Sequence, residues 1–403
     1  METHLSDQAV QRYKTIIAIL IVVLVSNVSL FALAFLGWSN FQNNAPPNEI
    51  TTLNNEIAQL QSEISSLTST IASLNLQSNV TYAGIYDNVS PSVVTVQGVI
   101  NGGPGNITEI QGSGFVYTYS GSPIIVTNNH VVAETSSLTI SFESGDSYTA
   151  SVLGTDPYSD LAVLSTTAPT QILKPLILAS SSSLRVGQVV IAVGTPYGFT
   201  GSMTTGVVSQ LGRSISETSS GRYLIADIIQ TSTPINPGNS GGPLLNVLGE
   251  VVGITTAIIA NSQGLGFAIP SDTILRELPY LVNGQPYPHP WLGITGIDVT
   301  YDLANAIGLN VTYGWMIGSV TPLGPAALAG MRSGTRTVDV NGQSYNVGGD
   351  VIIAINGSKI RNGDDLSRYL ETSTRAGQTI QVTVLRSSQK LNLNVTLGTR
   401  PTS

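Results

Sequence analysis

Between Val80 and about Val282 the chain consists of short apolar or alternating runs, and Gly, Asn, Ser or Pro separates each run from the next. Examples are SVVTVQGVI, GSGFVYTY, PIIVTNNHVV, LTISF, QVVIAVG and EVVGITTAII. Alternation of apolar and polar residues is typical of a strand with one buried face, and a short apolar run is typical of a strand buried on both faces. Many short strands with turn residues between them predict an all-β barrel or sandwich, which we place at residues 78–282.

The residues after this region differ in character. Residues 283–290, NGQPYPHP, are punctuated by proline and predict a linker. Residues 291–400 mix strand patterns, such as QTIQVTVLR and LNLNVTL, with helical patterns, such as DLANAIGL and GDDLSRYLET. This mixture predicts a small α+β domain. Two folded domains agree with the length of 403 residues, which is too great for one ordinary domain.

An apolar segment near the N-terminus, residues 15–38, predicts a transmembrane anchor. Roughly 20 helical residues at about 1.5 Å each span about 30 Å, which is enough to cross a bilayer. Arg12 and Lys14 precede the segment, and the next charged residue is Glu49. The positive-inside rule therefore places residues 1–14 in the cytoplasm and the rest of the chain outside it.

A cleaved signal peptide is the alternative interpretation of this segment, because residues 32–34, Ala-Leu-Ala, resemble a cleavage site. The apolar region of a signal peptide is usually about 7–15 residues long, which is shorter than the segment here. We therefore expect a retained single-pass anchor in the cell membrane.

Residues 49–77 carry isoleucine and leucine at a strict seven-residue spacing, which predicts a coiled coil of four heptads. Isoleucine occupies the a positions and leucine the d positions (Ile50, Ile57, Ile64 and Ile71; Leu53, Leu60, Leu67 and Leu74). A single amphipathic helix lying on the protein body would have a wider apolar stripe. The pattern therefore predicts self-association, and isoleucine at a with leucine at d favours two strands.

The composition excludes several classes of function. Charged residues make up 10% of the chain and its formal net charge is −8, so a basic surface for nucleic acid is not expected. The absence of cysteine excludes disulfides, thiol catalysis and metal sites with cysteine ligands. Three histidines are too few for a histidine-rich metal site, and we expect neither a metal nor a cofactor.

The stretch NPGNSGGPLL, residues 236–245, raises the question of what Ser240 does. A serine among glycines is most often a turn residue, and the stretch taken alone favours that interpretation. The alternative is that Ser240 is a nucleophile surrounded by backbone N–H groups. A serine nucleophile needs a general base within hydrogen-bond reach and a carboxylate that orients the base.

Two histidines beyond the predicted anchor are candidates for that base. His289 stands between two prolines in the predicted linker, which is a poor place for a held imidazole, whereas His130 lies at the end of an apolar strand. Asp160 and Asp156, in TDPYSDLAVL, are the candidates for the orienting carboxylate. We prefer Asp160, because the apolar run directly after it would anchor it at the edge of the core.

Six motifs occur in order and resemble those of the HtrA (Deg) serine proteases, a branch of the chymotrypsin-like double β-barrel fold. They are GSGFVY (112–117), TNNHVV (127–132), DPYSDLAVL (156–164), VGTPYGFTGSMTTGVVS (193–209), NPGNSGGPLLN (236–246) and LGFAIP (265–270). The resemblance covers about residues 80–400, because the C-terminal domain resembles the PDZ domain that follows the protease in this family. The order His, Asp, Ser is that of chymotrypsin.

The resemblance implies roles for individual residues in the protease domain. His130 matches the general base, Asp160 the orienting acid and Ser240 the nucleophile. The backbone N–H groups of Gly238 and Ser240 would form the oxyanion hole. The specificity-pocket loops of the family place three aliphatic residues around the P1 side chain, which implies cleavage after Val, Ile, Ala or Leu: Ile235, Ile258 and Leu265.

The resemblance also implies partners. In the PDZ domain, TYGWMIGSV (312–320) matches the carboxylate-binding loop and its strand, so the backbone N–H groups of Tyr313, Gly314, Trp315 and Met316 would bind a peptide C-terminus. Family members degrade unfolded or damaged proteins, and their protease domains form trimers. We therefore expect a homotrimer or a higher oligomer in protein quality control, although the heptads alone favour a dimer.

A non-proteolytic chaperone or peptide-binding scaffold on the same fold is the competing hypothesis. A relative without activity would typically have lost one of the triad residues, and all three are present here. The sequence therefore favours a membrane-anchored, extracytoplasmic serine endopeptidase.

Overall fold

The computed structural model describes residues 55–65, 81–101, 107–195, 201–216, 224–256 and 264–401. Residues from Val80 onward form one compact unit, and the residues before Val80 belong to a separate one. In the N-terminal unit, residues 55–65 form helix α1, in which Leu60 and Ile64 are more than half exposed. The rest of the predicted coiled coil lies outside the described residues.

The predicted anchor at residues 15–38 also lies outside the described residues. Within the part of the chain that the structure describes, no helix is both long enough and apolar enough to span a bilayer.

The second unit begins with helix α2 (Tyr82–Val89), whose N-cap Thr81 accepts a hydrogen bond from the backbone N–H of Gly84. Six antiparallel strands then close into a barrel in the order β1-β2-β3-β6-β5-β4. Their bounds are β1 (Val93–Asn101), β2 (Ile107–Tyr119), β3 (Ser122–Thr127), β4 (Ser137–Ser141), β5 (Ser147–Asp156) and β6 (Leu161–Thr166). The short helix α3 (Asn129–Val132) follows β3 directly.

A second closed barrel follows, in the order β10-β11-β12-β9-β8-β7. Its strands are β7 (Val189–Gly194), β8 (Ser202–Ser216), β9 (Leu224–Thr231), β10 (Pro243–Leu245), β11 (Val251–Thr256) and β12 (Gly266–Pro270). Helix α4 (Ser271–Leu281) leaves β12 and packs on β11 and on β5 and β6 of the first barrel.

The apolar runs of the sequence are explained by strands that are buried on both faces. Along β6, Leu161 and Val163 belong to the core that the two barrels share, whereas Ala162 and Leu164 face the interior of the first barrel. Strand β7 alternates in the same way between the shared core and the interior of the second barrel. The prediction of a mainly β chain with a chymotrypsin-like double barrel is confirmed.

The C-terminal domain combines one main β-sheet, two pairs of short strands and three helices among its described residues. Its main sheet has the order β14-β15-β18-β20-β21, with β19 paired to β18, and β14 is therefore an edge strand. The strands are β13 (Pro290–Trp291), β14 (Ile294–Asp298), β15 (Trp315–Val320), β16 (Arg336–Val340), β17 (Gln343–Val347), β18 (Val351–Ile355), β19 (Ser358–Lys359), β20 (Thr379–Arg386), β21 (Gln389–Thr396) and β22 (Gly398–Thr399). The helices are α5 (Tyr301–Ile307), α6 (Pro325–Leu328) and α7 (Gly363–Ser373).

Helix α7 connects the C-terminal domain to the second barrel, because it lies on β8 and β9. Arg368 of α7 forms an ion pair with Asp227 of β9 at 2.9 Å. Asp364, in the first turn of α7, accepts a hydrogen bond from the backbone N–H of Ser214 at 2.8 Å. The second barrel and the C-terminal domain therefore have a specific polar contact.

Candidate active site

His130 lies on α3, at the point where the chain leaves β3 of the first barrel. Its Nδ1 is 2.8 Å from Oδ2 of Asp160, and its backbone N–H donates to Oδ1 of the same carboxylate at 2.9 Å. The His130 side chain is 20% exposed, whereas Asp160 is fully buried. The imidazole is thus fixed on one side by a buried carboxylate and reaches solvent on the other.

Several hydrogen bonds from different elements fix Asp160 itself. Its backbone carbonyl accepts from the N–H of Asn129 and from the side-chain amide of Asn128. Oδ2 also accepts from the hydroxyl of Thr256, at the end of β11 in the second barrel, at 3.1 Å. The φ of Asp160 is +51°, a left-handed conformation that is uncommon outside glycine. Asp156, the competing candidate, does not contact His130 in any hydrogen bond of the described residues; its carboxylate faces His289.

Ser240 lies in the loop before β10, on the second barrel, and is 5% exposed. Its backbone carbonyl accepts from the N–H of Ser113 in β2 at 2.7 Å, so the loop is bound to the first barrel. A Cβ added to Gly112 would lie 2.6 Å from Val131 of α3 and 3.0 Å from the carbonyl of Ser240. The helix that carries His130 and the loop that carries Ser240 therefore meet at Gly112.

The glycines next to Ser240 are required by close approach and by backbone conformation. Gly238 is buried and has a φ of +96°, and Gly241 has a φ of +86°. A Cβ on Gly241 would lie only 2.0 Å from the carbonyl oxygen of Ser113. Glycine has no Cβ, so it alone can take these positive φ values and lie this close to a neighbouring carbonyl without strain.

Two of the three residues predicted for the specificity pocket are described. Ile235 is partly buried and packs against the interior of the second barrel, and Leu265 is 44% exposed. A Cβ on Gly266, which follows Leu265, would lie 2.8 Å from Ile235, so these two segments are adjacent. Ile258 lies outside the described residues.

The structure does not agree with the predicted peptide-binding loop of the C-terminal domain. The N–H of Gly314 donates to the carbonyl of Arg361 at 2.7 Å. Trp315 and Met316 pair with β14 on one side and with β18 on the other. Tyr313 lies directly before these residues. A peptide cannot add to a strand that already has two neighbours, so this location for the peptide is corrected.

The edge of the sheet offers a groove in a different place, between β14 and helix α7. Its lining includes Trp291, Leu292, Gly293 and Ile294 on the strand side, and Gly363, Leu366, Ser367 and Leu370 on the helix side. Trp315 contributes its side chain to the same groove. An edge strand beside a helix is the arrangement that accepts an extended peptide as an added strand.

A second cluster of ionisable residues is buried near the C-terminal domain. His289 is 2% exposed; its Nε2 is 2.7 Å from Asp156, and its Nδ1 is 3.0 Å from Glu371 of α7. Arg276 contacts Glu277 at 3.0 Å on helix α4. The expectation that His289 would be poorly held is therefore wrong, because two carboxylates bind its two ring nitrogens.

One helix pattern in the sequence indicates this buried cluster. Along α4, Ile274, Leu278 and Leu281 mark the buried face, and Glu277 falls on that face. A carboxylate on the apolar face of a helix predicts a buried polar partner. Asp156, Glu277 and His289 also present ligand-type atoms within 4.8 Å of one another, but His289, Arg276 and Ser159 already bind these carboxylates.

The environment changes the protonation of two residues in the cluster. Burial alone would lower the pKa of His289, but its hydrogen bonds to Asp156 and Glu371 outweigh that effect and raise the pKa to about 10. Burial, together with the charge of Asp156, raises the pKa of Glu277 to about 8, although Arg276 acts in the opposite direction.

Two closed barrels, with His130 and Asp160 on the first and Ser240 on the second, have the arrangement of a chymotrypsin-like serine protease. Family models for a trypsin-like peptidase domain and a PDZ domain match residues 112–254 and 290–397. The chain is 37% identical over 293 residues to the putative serine protease HhoA of Synechocystis. The aligned residues cover 71% of this chain and 70% of that protein. The chain belongs to the HtrA (Deg) family of serine proteases.

Other relatives and solved structures agree with this assignment. Protease Do-like 1, chloroplastic, of Arabidopsis thaliana is 40% identical over 294 residues, which are 72% of this chain and 64% of that protein. A probable periplasmic serine endoprotease DegP-like of Brucella suis is 36% identical over 72% of this chain and 53% of its own length. The chain thus spans between about half and two thirds of these two relatives. The HtrA-type protease AlgW with decapeptide aligns with a TM-score of 0.62 and 30% identity, over 80% of this chain and 100% of that one.

The buried cluster predicts how stability depends on pH. Because the pKa of His289 is raised from 6.5 to about 10, protonated His289 contributes fully to the free energy of unfolding below pH 6.5, and this contribution disappears as the pH rises through about 10. The raised pKa of Glu277 also makes the protein less stable as the pH rises, between pH 4.5 and about 8. We expect His289→Gln to lower the free energy of unfolding by about 3 kcal/mol at pH 6.

Denaturant unfolding of the parent chain and of His289→Gln between pH 5 and pH 10 measures this dependence. The difference between the two proteins should become smaller as the pH rises. A difference that is constant or grows toward pH 10 would contradict the charged state assigned to His289.

Proposed function

We propose that the protein is a membrane-anchored, extracytoplasmic serine endopeptidase that degrades unfolded or damaged proteins. The observation that carries the catalytic part is the pair formed by His130 Nδ1 and the buried Asp160 carboxylate, beside the loop of Ser240. Membership of the HtrA family supports the same reaction.

In the proposed mechanism His130 acts as the general base. It takes the proton from the Ser240 hydroxyl while the Ser240 oxygen attacks the peptide carbonyl, and it later gives that proton to the leaving amine. Asp160 accepts from Nδ1–H, which leaves Nε2 directed at the serine and stabilises the imidazolium. The backbone N–H groups of Gly238 and Ser240 bind the oxyanion. Water then hydrolyses the acyl-enzyme by the same steps.

The roles of the three residues are tested by single substitutions. Ser240→Ala, His130→Ala and Asp160→Asn should each lower kcat for an unfolded protein substrate by about 10⁴-fold or more, because triad members act as a unit. Asp156→Asn is the comparison variant: the Asp156 carboxylate faces His289 and not His130, so this substitution should lower kcat far less than Asp160→Asn does. Full activity of Asp160→Asn, together with an inactive Asp156→Asn, would reverse the assignment of the orienting carboxylate.

We propose that Ile235, Ile258 and Leu265 form an aliphatic pocket for the P1 side chain. A pocket of this kind gains about 1–3 kcal/mol for each methylene group that fits. Mass spectrometry of the products from an unfolded protein should therefore show cleavage mainly after Val, Ile, Ala and Leu. A product set dominated by Arg or Lys at P1 would contradict the aliphatic pocket.

We propose that the groove between β14 and α7 binds the C-terminal end of a peptide as an added strand. This location replaces Tyr313, Gly314, Trp315 and Met316 as the binding loop, because β14, which begins at Ile294, is the edge strand of the main sheet and Trp291 to Ile294 line the groove beside it. The HtrA-type protease AlgW, to which this chain is similar, was solved with a decapeptide, which supports peptide binding by this chain.

The N-terminal region supplies the proposed anchor and part of the proposed assembly. Residues 15–38 would hold the protein in the cell membrane with the protease and PDZ domains outside the cytoplasm. Helix α1 carries the exposed apolar positions Leu60 and Ile64 of the heptad pattern, which supports a coiled coil in an oligomer. We propose a homotrimer, because the protease domain of the family specifies it.

A further inference from the structure

The turn between Asp156 and Asp160 connects the buried cluster to the active site. Asp160 ends this turn in a left-handed conformation, with a φ of +51°. A non-glycine residue keeps such a conformation only where its surroundings hold it. The hydrogen bonds that hold this turn therefore decide where the Asp160 carboxylate lies.

Asp156 closes the turn at its first residue. Its Oδ1 accepts from the backbone N–H of Tyr158 at 2.8 Å and lies 3.4 Å from that of Ser159. Its Oδ2 is 2.7 Å from Nε2 of His289. His289 is itself fixed at Nδ1 by Glu371 of helix α7. One oxygen of Asp156 thus holds the backbone of the turn while the other is held by His289.

Ser159, the residue directly before Asp160, is held from another element. Its hydroxyl donates to Oε1 of Glu277 at 2.7 Å, and both residues are buried. Glu277 lies on α4, where the guanidinium of Arg276 binds the same oxygen at 3.0 Å. The turn is therefore fixed at two points by side chains that do not belong to the triad.

We propose that His289 and Glu277 are positioning residues for Asp160: through Asp156 and Ser159 they hold the turn that sets the hydrogen bond between Asp160 and His130. The proposal rests on the serine endopeptidase function proposed above. Neither residue touches the reacting atoms. Their effect on the reaction comes from the 2.8 Å contact between His130 Nδ1 and Asp160 Oδ2, which a shift of the turn would lengthen.

A longer contact has two kinetic consequences. A misplacement of about 1 Å can lower the rate about 100-fold, so a partial release of the turn should lower kcat by about tenfold without raising KM. The Asp160 carboxylate also stabilises the imidazolium of His130. When that support weakens, His130 loses its proton more readily, and the acidic limb of kcat/KM moves to lower pH.

The test compares Ser159→Ala, His289→Gln, Glu277→Leu and Glu277→Gln in the full chain, with a short peptide of aliphatic P1 as substrate. We expect kcat to fall about tenfold in Ser159→Ala, His289→Gln and Glu277→Leu, with KM unchanged and the acidic limb displaced to lower pH by about half a pH unit. Glu277→Gln keeps an oxygen that accepts from Ser159 and should restore most of kcat.

Arg368→Gln is the matched control, because it removes the ion pair between α7 and Asp227 and leaves the turn untouched. It should leave kcat and the pH profile within twofold of the parent chain. Circular dichroism verifies the fold of each variant. If Glu277→Leu does not fold, the kinetics of Ser159→Ala test the role of Glu277.

Two outcomes overturn the proposal and are distinct from each other. If the parent chain hydrolyses the peptide but Ser159→Ala and His289→Gln both keep their kcat and acidic limb, the turn is structural only and His289 and Glu277 do not position Asp160. If the parent chain neither hydrolyses the peptide nor reacts with a fluorophosphonate, the proposed function itself fails, and the positioning role with it.

Discussion

The hydrogen bond between His130 and Asp160 depends on the pairing of β3 with β6 in the first barrel. The two residues are 30 positions apart in sequence, and they meet because β3 pairs with β6, so that α3 and the turn before β6 leave the barrel at the same end. Thr256 of the second barrel then binds the same carboxylate, which makes the position of Asp160 sensitive to how the two barrels pack. The shared apolar core between the barrels is therefore as important for the site as the polar residues themselves.

Two of the buried charged sites in the described part of the chain lie where elements of different domains or barrels meet. Asp160 lies at the junction of the barrels, and the cluster of His289, Asp156 and Glu371 lies where the last barrel helix, the proline-rich segment and α7 come together. A buried charge is tolerated only when it is paired, so each cluster fixes its surroundings to one arrangement. Glu371 also lines the groove beside β14, and it therefore contacts both the buried cluster and the proposed peptide site.

The sequence predicts the parts of this structure that follow from local patterns and from short motifs. Apolar runs such as LAVL predict strands buried on both faces, and in β6 the side chains alternate between two cores as that pattern requires. His130 and Asp160, which the motifs assign to one site, lie within hydrogen-bond distance of each other. The sequence fails where the outcome depends on pairing between distant segments. Gly314 to Met316 match a binding loop by pattern, but the order of the strands, which the pattern does not reveal, places β14 and not β15 at the edge of the sheet. The prolines on either side of His289 suggest a poorly held side chain, but Asp156 and Glu371, which are distant in sequence, bind its ring nitrogens.

The most direct test of the central claim is covalent labelling with a peptide chloromethyl ketone that carries valine at P1. We predict one adduct per chain, in which the inhibitor bridges Ser240 Oγ and His130 Nε2 with loss of chloride, and we predict that Ser240→Ala and Asp160→Asn are labelled at least 100-fold more slowly. Tandem mass spectrometry of the labelled chain locates the stable bond to His130. The hemiketal at Ser240 reverts to ketone and hydroxyl when the chain is unfolded, so the slow labelling of Ser240→Ala tests the part that the serine plays. Labelling at His289 instead, or equal labelling of the parent chain and Ser240→Ala, would contradict a triad formed by His130, Asp160 and Ser240.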